Sequence, residues 1–141
     1  SDPNYVIITT VTGIVIFFLY PKIQKHWNVF LKFDALGLGV FTAIGATLAY
    51  QLFGMNFLAM ALAGMVTAVG GGILRDMFVN EIPMVIVKEL YASASFLGVV
   101  LFYVILMSGL QIEIATIVAI LVTTVLRLIA MKYNWNLPKV R

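Results

Sequence analysis

The chain has 141 residues, 62% hydrophobic and 11% charged, with nine Lys and Arg against six Asp and Glu and a net charge of +3. A mean hydropathy of +1.06 lies outside the range of soluble globular domains and points to one polytopic membrane domain. The basic residues are too few and too scattered for a nucleic-acid partner, and without cysteine there is no disulfide, thiol nucleophile or Cys-based metal site.

A membrane span needs about 20 mostly apolar residues, and charge-free windows mark five candidates. The opening residues Ser1-Asp2-Pro3-Asn4 carry neither an initiator Met nor the basic region of a signal peptide, and read as the middle of a longer protein. Span one is predicted from Asn4 to Pro21, between Asp2 and Lys22. Span two runs from Ala35 to Phe53 and ends in the turn Phe53-Gly54-Met55-Asn56, where Gly and Asn supply positive φ. Asp34 just before it suits an N-cap, and also suits a partner for a cation on another helix.

Span three begins near Phe57 and reaches Gly70-Gly71-Gly72 after more than thirty uncharged residues. Each glycine in a helix interior costs roughly 1 kcal/mol relative to Ala. Three in a row point around the whole helix, whereas a packing motif needs small residues four apart. The pattern therefore predicts a kink or an unwound hinge near Thr67 and Gly70–Gly72, with freed carbonyls facing ions or water, and a half-helix from Ile73 to Asn80 stopped by Pro83. Packing alone is the alternative.

Arg75 and Asp76 follow the glycines directly. They are either interfacial charges or a functional pair. Neighbours on a helix project about 100° apart, so each is expected to reach another helix, with Asp34 the natural partner of Arg75. Lys88, Glu89 and Tyr91 read as an interfacial rim with an aromatic anchor. Span four covers Leu90 to Leu110 and span five Ile112 to Met131, with Arg127 near enough its end to snorkel toward the headgroups and Glu113 an exposed carboxylate at its start.

Small residues at Gly37, Gly39, Ala43, Gly45, Ala46 and Ala49, and at Ala59, Ala61, Ala63, Gly64 and Ala68, suit close helix packing and carry no chemistry. No Ser/His/Asp set or metal cluster appears, the lone His26 has no ligand-spaced partners, and no cofactor is called for, so an enzyme is not expected. The basic residues fall between spans one and two, between three and four, and after five, which predicts an external amino end and a cytoplasmic carboxyl end.

Asp34-Ala-Leu-Gly-Leu, Phe41-x-x-x-Gly45-Ala46, Gly64-Met-Val-Thr67-Ala-Val-Gly70-Gly-Gly-Ile-Leu-Arg75-Asp76, Asn80-Glu81-Ile-Pro83, Glu89-Leu-Tyr91-Ala92 and Leu126-Arg127-Leu-Ile-Ala130 together resemble the prokaryotic branch of the trimeric intracellular cation (TRIC) channel family, whose prokaryotic members are also catalogued as a glycine transporter domain. The resemblance implies seven helices, two inverted three-helix repeats plus a terminal helix, in a homotrimer with one ion pathway per protomer. It also implies that the second helix of each repeat is broken at its glycines and lines the pore.

On that pattern residues 1–28 hold the last helix of repeat one and a loop, 29–110 the second repeat, and 111–141 the terminal helix and tail. Two family helices, the first glycine motif, and the basic residue that animal members carry on the helix matching Ala35–Tyr50 are not in this chain. The expected function is a monovalent, K+-permeable cation channel in a prokaryotic inner membrane, with lipid and cations as partners. A small-zwitterion transporter and a non-transporting scaffold are the alternatives.

Overall fold

The computed structural model describes residues 6–8, 10–12, 14–15, 27–78 and 90–133. Four long helices appear among them: α1 (Trp27–Phe53), α2 (Phe57–Phe78), α3 (Leu90–Met107) and α4 (Ile112–Lys132). Leu31–Phe53, Phe57–Met77 and Ile112–Lys132 are long and apolar enough to cross a membrane, and Tyr91–Met107 is a shorter apolar helix. The chain separates into two compact units, 1–32 and 33–141. In the first, residues 6–8, 10–12 and 14–15 are helical and exposed, with Thr12 Oγ1 donating to the Ile8 carbonyl at 2.7 Å. The predicted stop at Pro83, the half-helix beyond Phe78 and the Lys88–Glu89 rim lie outside the described residues.

Two tight turns make α1–α2 and α3–α4 antiparallel hairpins. Gly54 (φ 64°) and Gly109 (φ 78°) occupy the left-handed region, which glycine enters without steric cost. Asn56 also serves the next helix. Its Oδ1 accepts from the Ala59 amide at 3.1 Å and caps α2.

α1 begins seven residues before Asp34, so the N-cap expectation for Asp34 is overturned. Trp27–Phe33 contains no breaker, and a charge does not end a helix when a partner neutralises it. At 27 residues and about 1.5 Å per residue, α1 is about 40 Å long, exceeding a hydrocarbon core of about 30 Å.

The core of the second unit is built largely from alanine. Ala43, Ala46, Ala49, Ala61, Ala115 and Ala119 surround Met60, Val99 and Phe102, and a smaller cluster holds Leu38, Ala68, Tyr91 and Ala94. Lipid tails are as apolar as leucine, so helices in a membrane gain by close approach more than by burying bulk. A Cβ at Gly45 would stand 2.5 Å from the Ala63 carbonyl, and one at Gly64 3.1 Å from the Thr42 carbonyl, which brings α1 and α2 into backbone contact. Gly39 meets α4 in the same way, 2.6 Å from the Ile120 carbonyl. At the start of α2, Phe57 packs edge-on against Phe96 (6.3 Å) and Tyr103 (5.2 Å).

α2 runs as continuous helix from Phe57 to Phe78, so the unwound form of the hinge expected at Gly70–Gly72 does not appear. The glycines act through space as well as through flexibility. A Cβ at Gly72 would collide with the Tyr91 hydroxyl and lie 3.1 Å from its Cζ, one at Gly71 would touch the Phe41 ring at 3.5 Å, and one at Gly70 would meet nothing within 4 Å.

Candidate functional site

Beside Gly72, four helices converge on a buried charged cluster. Asp34 comes from α1, Arg75 and Asp76 from the last turns of α2, Tyr91 from the first turn of α3, and Arg127 from the end of α4. Arg75 Nη1 donates to Asp34 Oδ1, while Arg75 Nε and Nη2 donate to Asp76 Oδ1 at 2.8 and 2.6 Å. One guanidinium therefore bridges two carboxylates on two helices. Its planar fork of donors suits that geometry. Both aspartate side chains are 7% exposed and Arg75 is 22% exposed.

Tyr91 completes the cluster on the α3 side. Its hydroxyl donates to Asp34 Oδ1 at 3.3 Å, and the Arg127 guanidinium carbon stands 4.7 Å from its ring centroid, within the range of a cation–π contact. Two sequence expectations are thereby corrected. Tyr91 is buried in the protein and is not an interfacial anchor, and Arg127 is 3% exposed and does not snorkel. Each has a better partner inside: a carboxylate for the phenol and an aromatic face for the guanidinium. Formal charges of the four ionised groups cancel, with Arg75 and Arg127 set against Asp34 and Asp76. Charges at membrane depth survive when they are compensated in this way.

The glycine segment presents two sides to this arrangement. On one side Ala68, Gly72 and Asp76 are buried, and the missing side chain of Gly72 leaves the room in which the Tyr91 hydroxyl reaches Asp34. On the other side Val66 and Thr67 are exposed, as are Leu74 and Met77, with open space at Gly70. Sequence reasoning singled out Thr67, Gly70–Gly72, Arg75, Asp76 and Asp34. The structure brings Gly72, Arg75, Asp76 and Asp34 to one cluster and leaves Thr67 and Gly70 on the open side of α2. Tyr91 and Arg127 were missed as members. The available signal was a pair of hydrogen-bonding side chains inside otherwise apolar spans. Among the described residues no group of His, Cys, Asp and Glu could hold a metal ion.

The Glycine transporter family profile matches residues 31–107. UPF0126 inner membrane protein YadS of Escherichia coli is 31% identical over 144 residues, covering 98% of this chain and 67% of its own. Among solved structures, a TRIC cation channel described for the structural basis of its conductance is 33% identical with a TM-score of 0.86, over 98% of this chain and 68% of that one. The TRIC trimeric intracellular cation channel orthologue of Rhodobacter sphaeroides is 28% identical with a TM-score of 0.85, over 95% and 69%. The chain spans about two thirds of each of these proteins.

Proposed function

Since the chain belongs to the prokaryotic branch of the TRIC channel family, a family of multi-pass membrane proteins, we propose that it forms part of a monovalent-cation channel, K+-permeable and homotrimeric, with the open side of α2 as pathway lining. The observation that carries this reading is the two-sidedness of α2. Its Gly72–Asp76 side is clamped to α1 and α3, and its Thr67–Gly70 side faces open space. A hydroxyl and a bare backbone on an open face offer water and cations polar surface without bulk. The charge-neutral cluster closes the end of α2 and fixes where that face points. The pathway does not need an unwound helix in this arrangement.

Gly70 separates a pathway role from a packing role. Ala there meets no neighbour and raises helix propensity by roughly 1 kcal/mol, so Gly70→Ala in the full-length protein is expected to assemble normally. Cation flux from vesicles is expected to fall several-fold, and a bulkier Gly70→Leu to abolish it. Parent-like flux in both variants would remove α2 from the pathway.

The family profile's description as a glycine transporter gives a second reading: broken or unbroken, a glycine-rich helix at a repeat interface also suits capture of a small zwitterion. Reversal potentials in KCl and NaCl gradients, measured beside labelled-glycine counterflow, distinguish the two. A channel gives a cation-selective reversal potential without counterflow. A transporter gives saturable counterflow without unitary currents.

A further inference from the structure

A second polar feature runs through the second unit away from the open face of α2. In membrane helices a threonine hydroxyl commonly donates to the carbonyl four residues back, and Thr12, Thr42 and Thr116 do so at 2.7, 2.7 and 2.8 Å. Thr123 and Thr124 on α4 do not. Their Oγ1 atoms are buried without a hydrogen-bond partner among the described residues. They lean instead on glycine backbone of two different helices, Thr123 on Gly98 of α3 and Thr124 on Gly39 of α1, where a Cβ would come within 2.5 Å of its Oγ1. Asp34 Oδ2, at the charged end of the same seam, is likewise buried and without a partner among the described residues.

Between and beyond these atoms the seam stays polar. Thr42 Oγ1 lies 2.8 Å from Ser95 Oγ, joining α1 to α3 with both residues fully buried. On α3 and α4, Ser95 and Thr123 sit one turn from Tyr91 and Arg127, on the side away from the charged end. Toward the Gly54 end, Thr47 and Thr116 face each other at 3.4 Å in a groove of about 330 Å³ between α1 and α4 whose lining is otherwise mostly apolar, with Val40, Ile44, Leu48 and Ile120 beside Gln51. Val40 follows Gly39 in sequence, and Ile120 carries the carbonyl that Gly39 meets, so the groove lining adjoins the Gly39–Thr124 contact. Unpartnered buried polar atoms in natural proteins are normally satisfied by ordered water, and such waters need two to four polar partners. The layer is neutral, which suits water better than a bare ion.

We propose that the seam between α1, α3 and α4 is hydrated: water molecules held by Thr42, Ser95, Thr123 and Thr124 extend toward Asp34, by a route separate from the open face of α2. The water is a bound ligand of the helix interface. It supplies the bonds that the two threonines forgo when they approach Gly98 and Gly39. The inference stands independently of whether cations pass along α2.

Single-cysteine variants of the full-length protein, cleared of other cysteines and reconstituted in vesicles, test the route with methyl methanethiosulfonate as probe. Only a thiolate reacts, and a dry site keeps the thiol protonated, so Thr123→Cys and Thr124→Cys are expected to react at least about tenfold faster than Val99→Cys in the neighbouring apolar core. A second measurement reads hydration by sign. Thr123→Val deletes the hydroxyl at nearly constant volume, and if water is bound there, Tm falls by about 2–4 °C. If the site is dry, the lost polar atom was a liability and Tm rises. Reaction at the Val99→Cys rate, or an unchanged or higher Tm for Thr123→Val, overturns the proposal.

Discussion

One methyl group at Gly72 would decide whether the charged cluster can form. Ala is the better helix former by roughly 1 kcal/mol, yet its Cβ would displace the Tyr91 hydroxyl from Asp34. The ring cannot step aside, because Tyr91 is 2% exposed with Arg127 against its face. Gly72→Ala is therefore expected to lower the stability of the full-length protein by about 1–3 kcal/mol, the usual cost of overpacking. Tyr91→Phe removes the obstructing oxygen. Thermal or denaturant unfolding of both single mutants and the double mutant should show favourable coupling, with the double mutant less destabilised than the two singles added together. Strict additivity would mean that the two side chains do not compete for this space.

Arg75 makes the complementary case. It bridges Asp34 and Asp76, so Arg75→Ala takes a shared cationic donor from two largely buried carboxylates. Removing one partner of a buried ion pair costs roughly 3–5 kcal/mol, and partial exposure of Arg75 places the expectation near the lower figure. Lys32→Ala, at an exposed position two residues before Asp34, should stay within about 0.5 kcal/mol of the parent. Arg75→Lys tests the fork itself, since a point ammonium cannot hold both carboxylates in that geometry, and intermediate loss is expected. Equal tolerance of Arg75→Ala and Lys32→Ala would show that the bridge contributes nothing.

At the level of elements, glycines on these helices divide by what they face. Gly98 of α3 is filled by Thr123 of α4, with the Ala119 carbonyl 3.4 Å from where its Cβ would be, whereas Gly37 of α1 meets nothing. Gly98→Ala is expected to separate α3 from α4, lower Tm by several degrees and draw Arg127 off Tyr91. Gly37→Ala should raise Tm slightly through helix propensity. Both can be read by thermal unfolding of the detergent-solubilised full-length protein, and the opposite ranking would contradict the packing described above. The continuous α2 belongs to this scale as well. Glycine lowers helix propensity by about 1 kcal/mol per site, but propensity is a weak prior beside tertiary contact, and here Tyr91 and Phe41 occupy the space the glycines leave.

For the molecule in its membrane, the two hairpin turns lie at one end of the bundle and the charged cluster at the other, because α1–α2 and α3–α4 are antiparallel hairpins. With Arg75, Arg127 and Lys132 at the cluster end, the positive-inside rule predicts that the turns face the exterior. Single cysteines at Gly54 and Gln111 should then label from the exterior and one at Lys132 only after the inner face is opened. Labelling of Gly54 and Lys132 from the same side would break the topology.

Much of this architecture could be read from the chain alone. Apolar windows of span length separated by the Phe53–Asn56 turn and the Ser108–Glu113 loop set the helix hairpins, since backbone in lipid has no option but to satisfy its own hydrogen bonds. The run of small residues announced close packing for the same reason. The pairing of Asp34 with Arg75 followed from a simple demand that a charge at this depth find its opposite. What sequence could not determine was the role of residues whose partners lie far away along the chain. Tyr91 and Arg127 resemble interfacial residues until Asp34 and the Tyr91 ring are placed beside them, separations of 57 and 36 positions. Gly72 reads as a helix breaker until Tyr91 fills its empty side. Local chemistry sets which segments become helices, but which face of each helix is covered, and by what, depends on helix crossings that only the tertiary structure fixes.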